Sequence, residues 1–204
     1  GSNRPELYWA MVAAQSIGAI PVPVYQDSVP EEMIYILEHC NVKFIVAEDQ
    51  EQVDKVIELS DRLVSLEKTI FLDPRGLRKY ERTKLMSFVE LQEAGKAGES
   101  KIKSEYDSRL TAITSADTCV MLYTSGTTGN PKGVMLSHGG ILSNCEGAEE
   151  ILKSLIKKDP AVFLTWLPLS HSYEHTVQYV QILLGAKVFY AESLEKLLPN
   201  VAIA

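Results

Sequence analysis

Two apolar runs, Cys119-Val120-Met121-Leu122 and Val134-Met135-Leu136, flank the stretch Tyr123-Thr124-Ser125-Gly126-Thr127-Thr128-Gly129-Asn130-Pro131-Lys132-Gly133, which constrains the fold more than any other part of the chain. It reads as a loop built to hold phosphate. The hydroxyls of Thr124, Ser125, Thr127 and Thr128 supply donors, Gly126, Gly129 and Gly133 let backbone N–H groups approach an anion, and Lys132 adds a positive charge. Composition alone also permits an ordinary turn between strands. A Walker A loop is excluded by spacing. Counting from Gly126, Pro131 stands where the second glycine belongs, and Gly133 comes after the lysine. The loop crosses from one strand to another in the manner of a hairpin, so a helix dipole contributes little and hydroxyls and amides must bind the anion.

The rest of the chain alternates helical and strand periods. Asn3 is placed to cap a helix with Pro5 and Glu6 in its first turn, whose buried stripe is Leu7, Ala10, Met11, Ala14 and Ile17, ending at Gly18. Residues 20–25 are apolar, with Pro21 and Pro23 each removing a donor, so an edge or short strand is expected. Ser28 and Glu31 form a capping box for a helix burying Met33, Ile34, Leu37 and Cys40. A strand over 42–47, a helix over 48–63 with Val53, Val56, Ile57 and Leu63 inside, and a strand over 69–72 follow. This order implies parallel pairing with right-handed crossovers. Between 73 and 118 the chain is charged and poor in pattern. Ser87 and Glu90 cap a short helix to about Ala94, and 95–101 reads as a surface loop.

Beyond the phosphate-type loop, Ser137 and His138 lead into a helix over 140–157. Its inner face carries Ile141, Leu142, Cys145, Ala148, Ile151, Leu152 and Leu155, with Lys153, Lys157 and Lys158 at its C-terminal end. Glu146, Glu149 and Glu150 form a solvating face. A strand over 162–167, a helix over 173–184 stopped by Gly185, and a strand over 187–190 complete the pattern. The fold class is α/β, a layered and mostly parallel sheet with helices on both faces.

A second motif, Leu167-Pro168-Leu169-Ser170-His171-Ser172-Tyr173-Glu174-His175, places two histidines four apart. A zinc site is disfavoured, because the metalloprotease pattern needs Glu directly after the first His and no third ligand is evident. The plain alternative has Ser170 and His171 capping a helix and His175 packed or solvated. His39 and His138, within a helix and at a helix end, read as structural.

Thr124 to Gly133 resembles the phosphate-binding signature of the adenylate-forming, AMP-binding enzymes: acyl-CoA synthetases, peptide-synthetase adenylation domains and luciferases. The second motif is similar to one downstream in the same family, in a form most like long-chain fatty acyl-CoA synthetases. The resemblance implies a fragment of the family's large N-terminal domain, spanning residues 4–204, with residues 1–3 read as a tag remnant. It implies ATP-dependent activation of a fatty acid through an acyl-adenylate, with Mg²⁺, and transfer to coenzyme A. Thr124, Ser125, Gly126, Thr127, Thr128, Gly129 and Lys132 would hold the phosphates, Thr128 would contact the metal, and Lys132 and His171 would be catalytic. His171 corresponds to the residue beside the reacting carboxylate. At 173 and 175, Tyr and His replace the bulkier aromatic and the arginine common in long-chain members, which leaves the acyl chain length open.

The family's later motifs, a metal-binding Glu, a ribose site and a C-terminal lysine, are expected beyond Ala204, so the chain alone is expected to be inactive. Other open readings are an adenylation domain or luciferase-like member with another acid, and a nucleotide-binding module without chemistry.

A net charge of −7 argues against a nucleic-acid partner, which needs a basic face. Three cysteines without Cys-x-x-Cys spacing read as reduced thiols, and no apolar run approaches the ~18 residues of a membrane span. The expected location is cytoplasmic, with room for peripheral membrane contact through a lipid substrate, and the expected partners are small molecules.

Overall fold

The computed structural model describes residues 1–124, 130–154, 156 and 160–203. Ser125, Gly126, Thr127, Thr128 and Gly129 lie outside the described residues, as do Leu155, Lys157 and Lys158, which the sequence pattern assigned to a helix over 140–157.

Helix α1 (Pro5–Ser16) is followed by α2 (Pro30–His39), strand β1 (Phe44–Ala47), α3 (Gln50–Glu58) and β2 (Lys68–Phe71). Then come β3 (Leu85–Ser87), α4 (Phe88–Ala112) and the hairpin β4 (Thr118–Thr124) and β5 (Lys132–Ser137). The chain continues with α5 (His138–Lys153), β6 (Val162–Thr165), α6 (Ser172–Leu183), β7 (Lys187–Tyr190) and α7 (Leu197–Ile203). Strands β1, β2 and β3 form one parallel sheet, β6 and β7 pair in parallel around α6, and β4 and β5 are antiparallel. Both βαβ units follow from a strand period, a helix period and a second strand period in direct succession, which forces a crossover over one sheet face.

Helices α2 and α3 cover the first sheet. Met33, Ile34 and Leu37 of α2 meet Val56, Leu59, Leu63 and Leu66 over Ile45, and Val53 of α3 packs with Ala47, Phe71 and Leu85. Asp49 starts α3 by accepting from the Gln52 N–H, and Ser87 and Glu90 form the reciprocal capping box of α4. In the second half, Cys119 of β4, Ile141 and Cys145 of α5 and Val180 of α6 make one cluster. Gly185, at φ 57, closes α6, a conformation glycine adopts without steric cost.

Several local expectations are corrected. Asn3 does not cap α1. Its side chain instead donates to Leu167 O at 2.6 Å and accepts from Leu169 N, and Arg4 is the N-cap without a side-chain bond. The buried face of α1 is Tyr8, Met11 and Gln15, turned from the expected stripe because Gln15 reaches Cys119 O at 3.0 Å and the Tyr179 hydroxyl. Ile17 is left 40% exposed. Residues 20–25 form no strand, although Pro21 O accepts from Met121 N, so the prolines leave only an irregular flank beside β4. Val29, not Ser28, precedes α2, where Pro30 supplies the preset first turn. Leu142 and Ile151 of α5 are exposed, as is Ile57 of α3.

The largest departure is α4, which runs unbroken through 95–101 for 25 residues. Strand β3 and helix α7 were not anticipated either.

Candidate functional site

The hairpin positions the first group. Val120 and Leu122 point one way into the core, and Tyr123 and Thr124 carry β4 out toward solvent. Thr124 is the register partner of Lys132, and Tyr123 that of Gly133, so the two ends of the glycine-rich segment face each other across one antiparallel pair. Both Thr124 and Lys132 are exposed. An exposed hydroxyl and an ammonium side by side at the mouth of a loop supply hydrogen-bond donors and positive charge to an anion. The other residues expected to meet phosphate, 125–129, lie outside the described residues.

Gly133 lies close beneath two side chains of β4. A Cβ there would sit 2.8 Å from Met121 Sδ and 3.2 Å from Tyr123 Cζ, which places the Tyr123 ring across the start of β5. The Tyr123 hydroxyl lies 2.5 Å from His39 Nδ1 and 3.3 Å from Cys40 Sγ. Burial, with Cys40 beside it, pushes the phenol above its ordinary value.

The second motif is organised by Asn3, whose amide bridges both sides of Pro168 by bonding Leu167 O and Leu169 N. His171 is the N-cap of α6, with its Nδ1 accepting from Tyr173 N at 3.2 Å. Because Nδ1 accepts, the neutral ring carries its proton on Nε2, so an exposed N–H donor stands at the entry to α6. His171 therefore combines the capping role with a free donor suited to a carboxylate oxygen.

The two histidines of this motif do different things. His175 is fully buried against Tyr179, ring centroids 5.3 Å apart, and burial pushes its imidazole down to about 4. Glu174 is also buried, and desolvation, outweighing a bond from Leu167 N–H, raises its carboxyl to about 7. Among the described residues no three His, Cys, Asp or Glu side chains gather to hold a metal.

Thr124, Lys132 and His171 are candidates that sequence reasoning could name because each belongs to a contiguous pattern. It missed Tyr123, His39 and Asn3 as organisers, since their contacts join residues far apart in the chain. The two motifs are joined by packing: α5 follows β5 and lies on α6, whose cap is His171.

A family model described as AMP-binding enzyme matches residues 1–203. Long-chain-fatty-acid--CoA ligase 5 of Rattus norvegicus is 28% identical over 203 residues, covering 97% of this chain and 29% of that protein. Long chain acyl-CoA synthetase 4 of Arabidopsis thaliana is 30% identical over 211 residues, covering 99% and 30%. The chain thus spans about three tenths of the length of these curated relatives. Among solved structures, ATP-bound MatB from Rhodopseudomonas palustris superposes with a TM-score of 0.69 at 18% identity, over 100% of this chain and 37% of the other. A fatty acyl CoA synthetase of Mycobacterium tuberculosis gives 0.68 at 17%, over 98% and 35%. At these identities the likeness is one of fold.

Proposed function

Since this chain belongs to the AMP-binding enzyme family, we propose that it is the phosphate-holding part of an ATP-dependent acyl-CoA ligase that activates a fatty acid as its acyl-adenylate. In the first step a carboxylate oxygen attacks the α-phosphorus of ATP, the bond from that phosphorus to the bridging oxygen breaks, and pyrophosphate leaves. In the second the thiol of coenzyme A attacks the acyl carbonyl and AMP departs. Charge grows on the leaving phosphates, and preorganised donors with a cation lower the barrier most when they meet that charge.

The observation that carries this reading is the register of the hairpin, which sets the Thr124 hydroxyl opposite Lys132 at the two ends of the glycine-rich segment. On this reading Thr124, Ser125, Gly126, Thr127, Gly129 and Lys132 contact the β- and γ-phosphates. Thr128 would hold Mg²⁺, a hard cation that suits hydroxyl and phosphate oxygens and would neutralise phosphate charge when bound. His171 Nε2–H donates to the substrate carboxylate and orients it. The family branch represented by the rat and Arabidopsis relatives supports a long-chain acid. A cytoplasmic enzyme touching membranes through its lipid substrate fits this reading.

The test is pyrophosphate release by the full-length parent with a panel of carboxylic acids, with and without coenzyme A. Release with fatty acids and thioester formation with coenzyme A are expected, and Lys132→Ala should cut the rate about 10²- to 10³-fold with little change in acid binding. Release only with amino acids or aryl acids, or an unaffected Lys132→Ala enzyme, would overturn it.

A further inference from the structure

The end of α2 is built rigidly and aimed at the stem of the phosphate loop. Asn41 adopts φ 49, Val42 N bonds Leu37 O and Asn41 N bonds Glu38 O, the paired bonds of a Schellman closure, with Leu37 buried beneath. This fixes the backbone of His39 and Cys40. The His39 ring is further held by stacking on Tyr35 one helical turn earlier, with centroids 5.7 Å apart and planes within 13°.

From this platform His39 Nδ1 meets the Tyr123 hydroxyl at 2.5 Å, the two rings edge to face at 6.0 Å, while Cys40 Sγ lies 3.3 Å from the same oxygen. Tyr123 in turn lies over Gly133, so one side chain touches both stems of the hairpin, one residue short of the Thr124–Lys132 pair. A chain of contacts runs from α2 through His39 and Tyr123 to the backbone beside Lys132. Nothing in the fold of the hairpin itself needs the hydroxyl bond, because β4 and β5 are already paired along their length.

We propose that His39 is a positioning residue for phosphate binding, acting through the Tyr123 hydroxyl to fix where Thr124 and Lys132 stand relative to the rest of the domain. This rests on the reading of the loop as the holder of ATP phosphates. In the tautomer that carries its proton on Nε2, His39 accepts from the Tyr123 O–H at Nδ1. An asparagine at 39 sets an amide oxygen near the Nδ1 position and restores an acceptor, whereas alanine removes it.

The experiment uses the full-length parent. His39→Ala and Tyr123→Phe are expected to raise the KM for ATP about 3- to 10-fold, the effect of one hydrogen bond, with the KM for the acid unchanged. The double variant should be no worse than either single, and His39→Asn should recover most of the loss. Independently of turnover, the His39 imidazole resonance should shift when ATP is added to the wild type and stay fixed in Tyr123→Phe. A wild-type KM for ATP in His39→Ala, additive losses, a lowered thermal midpoint that His39→Asn does not rescue, or a His39 resonance blind to ATP in an enzyme that releases pyrophosphate would each overturn the proposal. A parent that neither binds ATP nor releases pyrophosphate would overturn the functional reading and this one together.

Discussion

The Thr165 hydroxyl donates a hydrogen bond to Glu174 Oε1, joining the last residue of β6 to the first turn of α6 at a point where both side chains are buried. One residue further on, His175 is more deeply buried still. Desolvation therefore shifts both titratable neighbours toward their neutral forms, with opposite consequences for stability.

Glu174 rises from 4.5 to about 7, so between those values the folded chain binds the extra proton and stability falls as pH rises. His175 drops from 6.5 to about 4, so in that window the unfolded chain binds the extra proton and stability rises with pH. From about pH 4.5 to 6.5 the two slopes oppose each other. Glu174→Gln, which keeps an acceptor for Thr165, should unmask the histidine and give stability that climbs with pH across this range. Chemical denaturation at pH 4.5, 5.5 and 6.5 reads the difference, and parallel profiles for the two proteins would refute the assignment.

What the sequence made legible was local. The Ser87 and Glu90 box, the Gly185 stop, the hairpin stems and the separate strands and helices of the two βαβ units are each set by short windows, where capping and periodicity act directly. The tie from Gln15 to Cys119, the Asn3 bridge across Pro168 and the His39–Tyr123 contact join residues 84 to 166 positions apart, and no periodicity reports them. At the candidate site the same division holds: Thr124, Lys132 and His171 stand in contiguous motifs, and the residues that aim them do not. The failure at 95–101 is of another kind. Gly95 and Gly98 suggested a loop, yet the strong cap at Ser87 and the i,i+4 pairs Lys103–Asp107 and Glu105–Arg109 carry the helix through them.

Those two glycines sit in the interior of α4 with no atom within 4 Å of where a Cβ would be. Replacing each by alanine adds helix propensity without a clash. Gly95→Ala and Gly98→Ala should each stabilise the chain by about 0.5–1 kcal/mol, seen as a raised denaturation midpoint. Destabilisation by either would mean that the segment is not helical.

Gly139 behaves in the opposite way. Its N–H bonds Ser115 O at 2.8 Å, and a Cβ would fall 2.9 Å from that same backbone oxygen. Backbone cannot swing aside as a side chain does, so Gly139→Ala should destabilise by about 1–3 kcal/mol. Because Gly140 has only the Ser137 hydroxyl nearby, at 3.3 Å, Gly140→Ala is the control and should cost less. Equal midpoints for the two variants would argue against the close approach of α5 to Ser115.

The cap that His171 makes and the substrate contact proposed for it are separable, and one substitution tells them apart. Its Nδ1 caps α6 by accepting from Tyr173 N, and its Nε2–H is the exposed donor assigned to the substrate carboxylate. Asparagine is among the best N-cap residues and keeps a side-chain acceptor, but it has nothing at the Nε2 position. In the full-length parent His171→Asn should therefore leave thermal stability unchanged while lowering the rate of adenylate formation about 10- to 100-fold, the worth of a hydrogen bond to a charged group. His171→Ala should lose the same rate and, in addition, about 1 kcal/mol of stability from the missing cap. If His171→Asn turned over normally, the imidazole would be a helix cap and nothing more, and the donor to the carboxylate would have to be sought elsewhere.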